Sequence, residues 1–207
     1  MEAHFGFIPV ASVLVEGAEA LDRIVGPYSE ALTAVGGMLA SVDEIADGQP
    51  VFFLMATGGT EGKVLELVER RQKAAPGEPI FLVAHPGNNS LPAALEVLAK
   101  LQQDGLSGRI LYMRSADDRD ALAAIAGAAH DLGVRRALHS ARIGLVGAPS
   151  DWLVASMPTS KVVHDVWGPE VCPVNLGDLV GRMEAVPSDV PAASADALVA
   201  GATGCVE

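Results

Sequence analysis

Two short loops hold the side chains best suited to hydrogen-bond a small ligand. Ala56-Thr57-Gly58-Gly59-Thr60-Glu61-Gly62 follows the apolar run Val51-Phe52-Phe53-Leu54-Met55, and His85-Pro86-Gly87-Asn88-Asn89-Ser90 follows Ile80-Phe81-Leu82-Val83-Ala84. Gly58 and Gly59 permit close backbone approach, Thr60 adds a hydroxyl, and the helix start expected there offers free N–H groups. That combination suits an anion or a polyhydroxylated molecule. The same residues also satisfy a plain strand-to-helix turn, with Thr60 as the cap and Glu61 in the first turn, where the helix dipole favours a carboxylate. In the second loop His85, Asn88, Asn89 and Ser90 bring more donors and acceptors than a helix cap needs, which requires only Asn89 or Ser90.

A third group, Ser150-Asp151-Trp152, follows the turn Gly147-Ala148-Pro149. Trp152 there can pack on the apolar face of a sugar ring or plug the junction between two domains. His4, His130, His139 and His164 are scattered, with no partner at ligand spacing. The chain has no H-E-x-x-H, paired-cysteine, Walker or G-x-S-x-G motif, so no residue is assigned a catalytic or metal-binding role. Gly144-Leu-Val-Gly147 is only a fragment of a dinucleotide fingerprint.

These loops need rigid elements behind them. Solid apolar runs at 5–10, 51–56, 80–84, 109–113, 142–146 and 171–174 read as strands buried on both faces of a parallel sheet. Between them lie helical stripes: Val64, Leu65, Leu67 and Val68; Leu91, Ala94, Leu95, Leu98 and Leu101; then Leu122, Ile125, Ala126, Ala129 and Leu132. Asp117 or Asp118 is placed to open the third helix, and Pro92 suits the first turn of the second. The alternation predicts an α/β fold with a doubly wound, mainly parallel sheet of flavodoxin or Rossmann type. A boundary near residue 141 separates a first domain, 1–140, from the beginning of a second Rossmann-like unit, 141–207, expected to be incomplete.

The 207 residues are 50% hydrophobic and 4% aromatic, which implies an aliphatic core, and the net charge is −12. Such acidity opposes binding to nucleic acid or an anionic membrane surface. Two cysteines, Cys172 and Cys205, are too few for a disulfide scaffold. The apolar start is interrupted by Pro9 and carries Glu2 with no basic residue before Arg23, unlike a signal peptide. No segment is long enough to span a bilayer. A cytoplasmic protein is expected.

In order and spacing, the motifs Phe5-Gly-Phe-Ile-Pro-Val10, Thr57-Gly-Gly-Thr-Glu61, His85-Pro-x-x-Asn89-Ser-Leu-Pro-Ala-Ala-Leu-Glu96, Arg142-Ile-Gly-Leu-Val-Gly-x-Pro-Ser-Asp-Trp-Leu153 and Val166-Trp-Gly168 are informative. Together they resemble the sugar isomerases of the L-fucose isomerase type, with L-arabinose isomerase more distant. The resemblance implies a flavodoxin-like first domain, a second α/β domain and a homo-oligomer whose first domain lines the sugar site. It also implies manganese, held in complete family members by Glu, Asp and His from later domains, so no cofactor is expected on this chain and no activity from it alone. Gly58, Gly59, Thr60, Glu61, His85, Asn88, Asn89, Ser90 and Trp152 are the positions expected to face the sugar. Ile8 stands where fucose isomerases often carry arginine, a departure that bears on which sugar is taken. The alternative is a non-catalytic module of flavodoxin-like fold that binds a sugar or small anion. Thr57-Gly-Gly-Thr60 is also similar to an asparaginase turn, but there the motif lies on the first strand and has a Thr-Asp-Gly partner that this chain lacks.

Overall fold

A computed structural model describes residues 5–41, 49–187 and 189–201. His4 and Cys205 lie outside the described residues. The chain divides into two compact units, Met1–Arg136 and Ala137–Glu207.

The first unit contains a five-stranded sheet in the order β2-β1-β3-β4-β5, with every pairing parallel. Its strands are β1 (Phe5–Val10), β2 (Gly37–Leu39), β3 (Val51–Met55), β4 (Ile80–Ala84) and β5 (Gly108–Tyr112). Between them run α1 (Ala18–Ala34), α2 (Glu61–Ala74) and α3 (Ser90–Gln103), and α4 (Arg119–Ser140) follows β5. The order reverses between β1 and β3: the chain leaves β1 for β2 on one side, then crosses back to add β3, β4 and β5 on the other. Alternate residues along each strand point to opposite faces. Ile8, Phe53, Met55 and Leu82 pack with Val64, Val68, Val97 and Leu101 of α2 and α3. Phe7, Phe52, Leu54 and Val83 pack with Val25 and Leu32 of α1 and Ile125 and Leu132 of α4. The sheet is therefore doubly wound.

The core is not purely aliphatic. All five phenylalanines lie in the strands and are buried. Phe5, Phe52 and Phe81 form a stacked ladder across β1, β3 and β4, with ring centroids 4.8 and 4.9 Å apart. Four of the five, Phe5, Phe7, Phe52 and Phe81, share the face covered by α1 and α4, where stacking adds to area burial. Pro9 is tolerated inside β1 because pairing with β2 ends at Phe7 and Leu39, before a missing N–H matters.

At the amino-terminal end of β4, Glu78 ties α2 to α4. Arg71, the largest fully buried side chain at 1% exposure, donates to Glu78 Oε1 through Nε and a terminal nitrogen at 3.0 and 2.8 Å. Arg136 donates to Glu78 Oε2 at 2.8 and 2.6 Å, and Arg71 also reaches the Gln49 carbonyl at 2.9 Å. A charge this deeply placed requires such pairing.

In the second unit β6 (Arg142–Val146) and β7 (Glu170–Val174) form a parallel pair. With them are α5 (Ser160–Trp167), α6 (Leu176–Glu184) and α7 (Asp189–Gly201). Thr159 and Asn175 cap α5 and α6 through their side chains. The sequence predicts these two strands as buried on both faces, and the structure corrects this. All of β6 is exposed and β7 is at most half-buried, since two strands form too narrow a sheet for the unit's helices to enclose. Cys172 in β7 is half-buried. No helix among the described residues is long and apolar enough to cross a membrane.

Candidate functional site

The carboxyl ends of β1, β3 and β4 converge on a cleft of about 490 Å³. The loop after β1 contributes Ser12, Leu14 and Val15, and the loop after β3 contributes Thr57, Gly58 and Gly59, with Glu61 at the start of α2. Asn88 and Asn89 close the β4 side, with Pro92 and Ala93 of α3 behind them. This is the place where the strand order reverses. There the adjacent loops diverge to opposite faces and open a crevice, the usual ligand position in an open α/β sheet.

The loops are joined to one another. The Thr57 hydroxyl accepts the Ser12 N–H at 2.9 Å, tying β3 to β1. Gly58 N–H donates to the Asn88 carbonyl at 2.8 Å, tying β3 to β4. A Cβ on Gly58 would stand 2.9 Å from the Asn89 Cβ, so only glycine allows this approach. Gly59 adopts φ 73°, which suits glycine equally.

Asn88 and Asn89 both occupy the left-handed region, at φ 54° and 56°. Asparagine tolerates it better than most residues, yet two in succession store about 1–3 kcal/mol of strain each. Strain of this kind persists where a loop is held for a purpose, and here both side chains are exposed at the cleft and make no hydrogen bond among the described residues.

His85, Ser90 and Thr60 lie beneath the cleft. His85 is 2% exposed. Its Nδ1 accepts the Gly87 N–H at 3.2 Å, so the ring proton sits on Nε2 and donates to the Ala56 carbonyl at 3.2 Å. Burial holds this imidazole below its ordinary pKa, opposed by the hydrogen bond to Ala56. Tyr28 of α1 stacks on the ring with centroids 4.7 Å apart; burial and neighbouring Tyr112 push its phenol up.

Ser90, fully buried, accepts the His85 N–H at 3.0 Å. It and Asn89 were expected to cap α3, but neither side chain does. Thr60 was expected to cap α2; instead its hydroxyl donates back to the Thr57 carbonyl at 2.9 Å. Thr60 and Ser90 thus each stabilise the preceding turn. Asp118 does open α4, accepting the Ala121 N–H at 3.3 Å.

Of the nine residues singled out from the sequence, Gly58, Gly59, Glu61, Asn88 and Asn89 line the cleft, while Thr60, His85 and Ser90 are buried within the loops and do not line it. Trp152 belongs to the second unit and is 79% exposed. Sequence reasoning missed Ser12, Leu14 and Val15, because residues 5–15 read as one apolar run. The usable signal was the topology: a ligand at the end of β3 must also meet the end of β1.

Among the described residues, Glu61 is the only charged one lining the cleft. Manganese prefers several oxygen ligands, carboxylates foremost. One carboxylate beside amides and hydroxyls does not meet that need, and His85 has both ring nitrogens engaged. Among the described residues no three His, Cys, Asp or Glu side chains cluster as a metal site. The described residues at this cleft do not fit the metal. No protein-family model matches the chain, and a search of curated proteins finds no significant match.

Proposed function

We propose that this cleft binds an uncharged polyhydroxylated ligand, a sugar, and that the chain is the substrate-lining portion of a protein resembling the aldose–ketose isomerases. The observation that carries the reading is the pair Asn88–Asn89, held in left-handed backbone with both amides exposed at the switch-point cleft. An amide offers donors and acceptors together, matching hydroxyls that are also both. The charge of the lining favours a sugar over a small anion: Glu61 already supplies the negative group that the α2 terminus attracts, and no lysine or arginine among the described residues lines the cleft. The resemblance adds a homo-oligomer and a cytoplasmic setting to the proposal.

Proton transfer between sugar carbons needs an acid–base group within reach of the substrate. Glu61 is the one titratable side chain in the lining, and the chain alone is expected to bind without converting. Calorimetry with a panel of neutral aldoses and ketoses, alongside sugar phosphates and inorganic phosphate, tests this. Saturable binding of a neutral sugar with no manganese-dependent conversion is expected; preference for the phosphates contradicts it.

A second reading, a self-sufficient binding module, is favoured by one fact: every lining residue belongs to the first unit. Binding of equal strength by residues 1–136 expressed alone, with no gain from the full chain, supports that version.

A further inference from the structure

His85 sits where the two cleft loops meet, buried, and touches no part of the cleft lining directly with its ring nitrogens. Nε2–H holds the Ala56 carbonyl at the end of β3, and Nδ1 holds the Gly87 N–H one residue before Asn88. The backbone N–H of His85 is fixed in turn by Ser90 Oγ. The ring therefore braces both strand ends at once, and it does so only in its neutral form. We infer that His85 is a latch for the cleft: uptake of a second proton, on Nδ1, turns the acceptor of the Gly87 N–H into a facing donor and releases residues 86–89 from their binding conformation.

Two features set the direction of the effect. The Ala56 carbonyl and the Tyr28 ring face both favour a cation, and Tyr28 is the titratable group stacked on the imidazole from α1. Tyr112 acts on Tyr28 rather than on His85, and no carboxylate or cation shifts the imidazole. Burial outweighs the hydrogen bond to the Ala56 carbonyl and keeps the neutral form favoured. A latched histidine with a lowered folded pKa takes up its proton on opening. Between the ordinary value of about 6.5 and the lowered folded value, the opening equilibrium then rises about tenfold per pH unit of acidification. The consequence for a ligand rests on the sugar-binding reading above; the latch itself does not.

The test uses the full chain without sugar. Nitrogen-15 NMR of the imidazole reports its tautomer and titration, while hydrogen exchange of the Gly58 amide, whose acceptor is the Asn88 carbonyl, reports loop opening. After correction for intrinsic exchange, Gly58 protection is expected to fall about tenfold per pH unit as His85 begins to protonate, while the core amide of Val83 stays protected. A proton on Nδ1 at neutral pH, Gly58 protection indifferent to the titration, or simultaneous release of Gly58 and Val83 each overturns the latch. A failure to bind any sugar leaves these readouts unchanged and counts only against the sugar reading.

Discussion

Gly58 donates its N–H to the carbonyl of Asn88 across 2.8 Å, joining the loops that follow two neighbouring parallel strands. A strained asparagine pair is thus carried on a hydrogen-bonded bridge between β3 and β4, and the sheet's rigidity reaches the cleft through it. Held this way, the amides of Asn88 and Asn89 need little reordering on binding, which lowers the entropic cost.

Gly58→Ala would place a methyl group 2.9 Å from the Asn89 Cβ, backed by the Asn89 carbonyl at 3.4 Å. Backbone must move, and a stability loss of about 1–3 kcal/mol is expected in urea unfolding. Sugar affinity should fall with it.

Asn89→Gly separates strain from recognition. Glycine enters the left-handed region without penalty, which offsets its extra unfolded-state freedom, so stability should stay within about 1 kcal/mol of the parent. Loss of the amide should weaken sugar binding about tenfold. Unchanged affinity in a folded variant would remove Asn89 from the site.

Glu78→Gln removes the carboxylate charge that buried Arg71 shares with Arg136. Removing one partner from a buried ion pair costs about 3–5 kcal/mol. The expected result is a large drop in the urea midpoint, whereas Arg142→Gln, which loses only exposed contacts to Glu170 and Cys172, should be near neutral.

Asp118 accepts hydrogen bonds from the Arg114 side chain and from the Arg114 and Ala121 backbone, which hold its carboxyl well below the ordinary range. With a depressed folded pKa, the unfolded chain binds more protons below the unfolded value of about 3.9. The contribution is present above that pH and is lost as pH falls through and below it. Urea unfolding from pH 6 to pH 3 should show a shallower decline for Asp118→Asn than for the parent chain.

Much of this architecture is legible from residue order. The runs at β3 and β4 are apolar without interruption because both faces are covered, and their limits agree with the structure to a residue. The α1 helix was harder to see. No element is predicted there from the sequence, yet a helix runs through Gly26-Pro27 because Val25 and Leu32 are buried against the sheet. At three residues β2 is too short to show a period, and it exists through pairing with β1. Leu95 fits the helical stripe of α3 but is 53% exposed, since Ala94 and Val97 carry the packed face. For the site, residue type identified both loops. Which side chains face the cleft was not legible: Thr60 and Ser90 turn inward to bond their own loops, and His85 reaches the Ala56 carbonyl 29 residues away, a contact that local spacing does not reveal.

The central claim is that Asn88 and Asn89 read a neutral sugar at the strand-order reversal. Titrating neutral sugars into nitrogen-15-labelled protein while following the side-chain amides of both asparagines and the Gly59 N–H tests it most directly. Saturable shifts confined to these groups and their neighbours in the cleft are the expected result. Shifts that leave both asparagine amides unmoved, or that occur only with phosphorylated sugars, would contradict it.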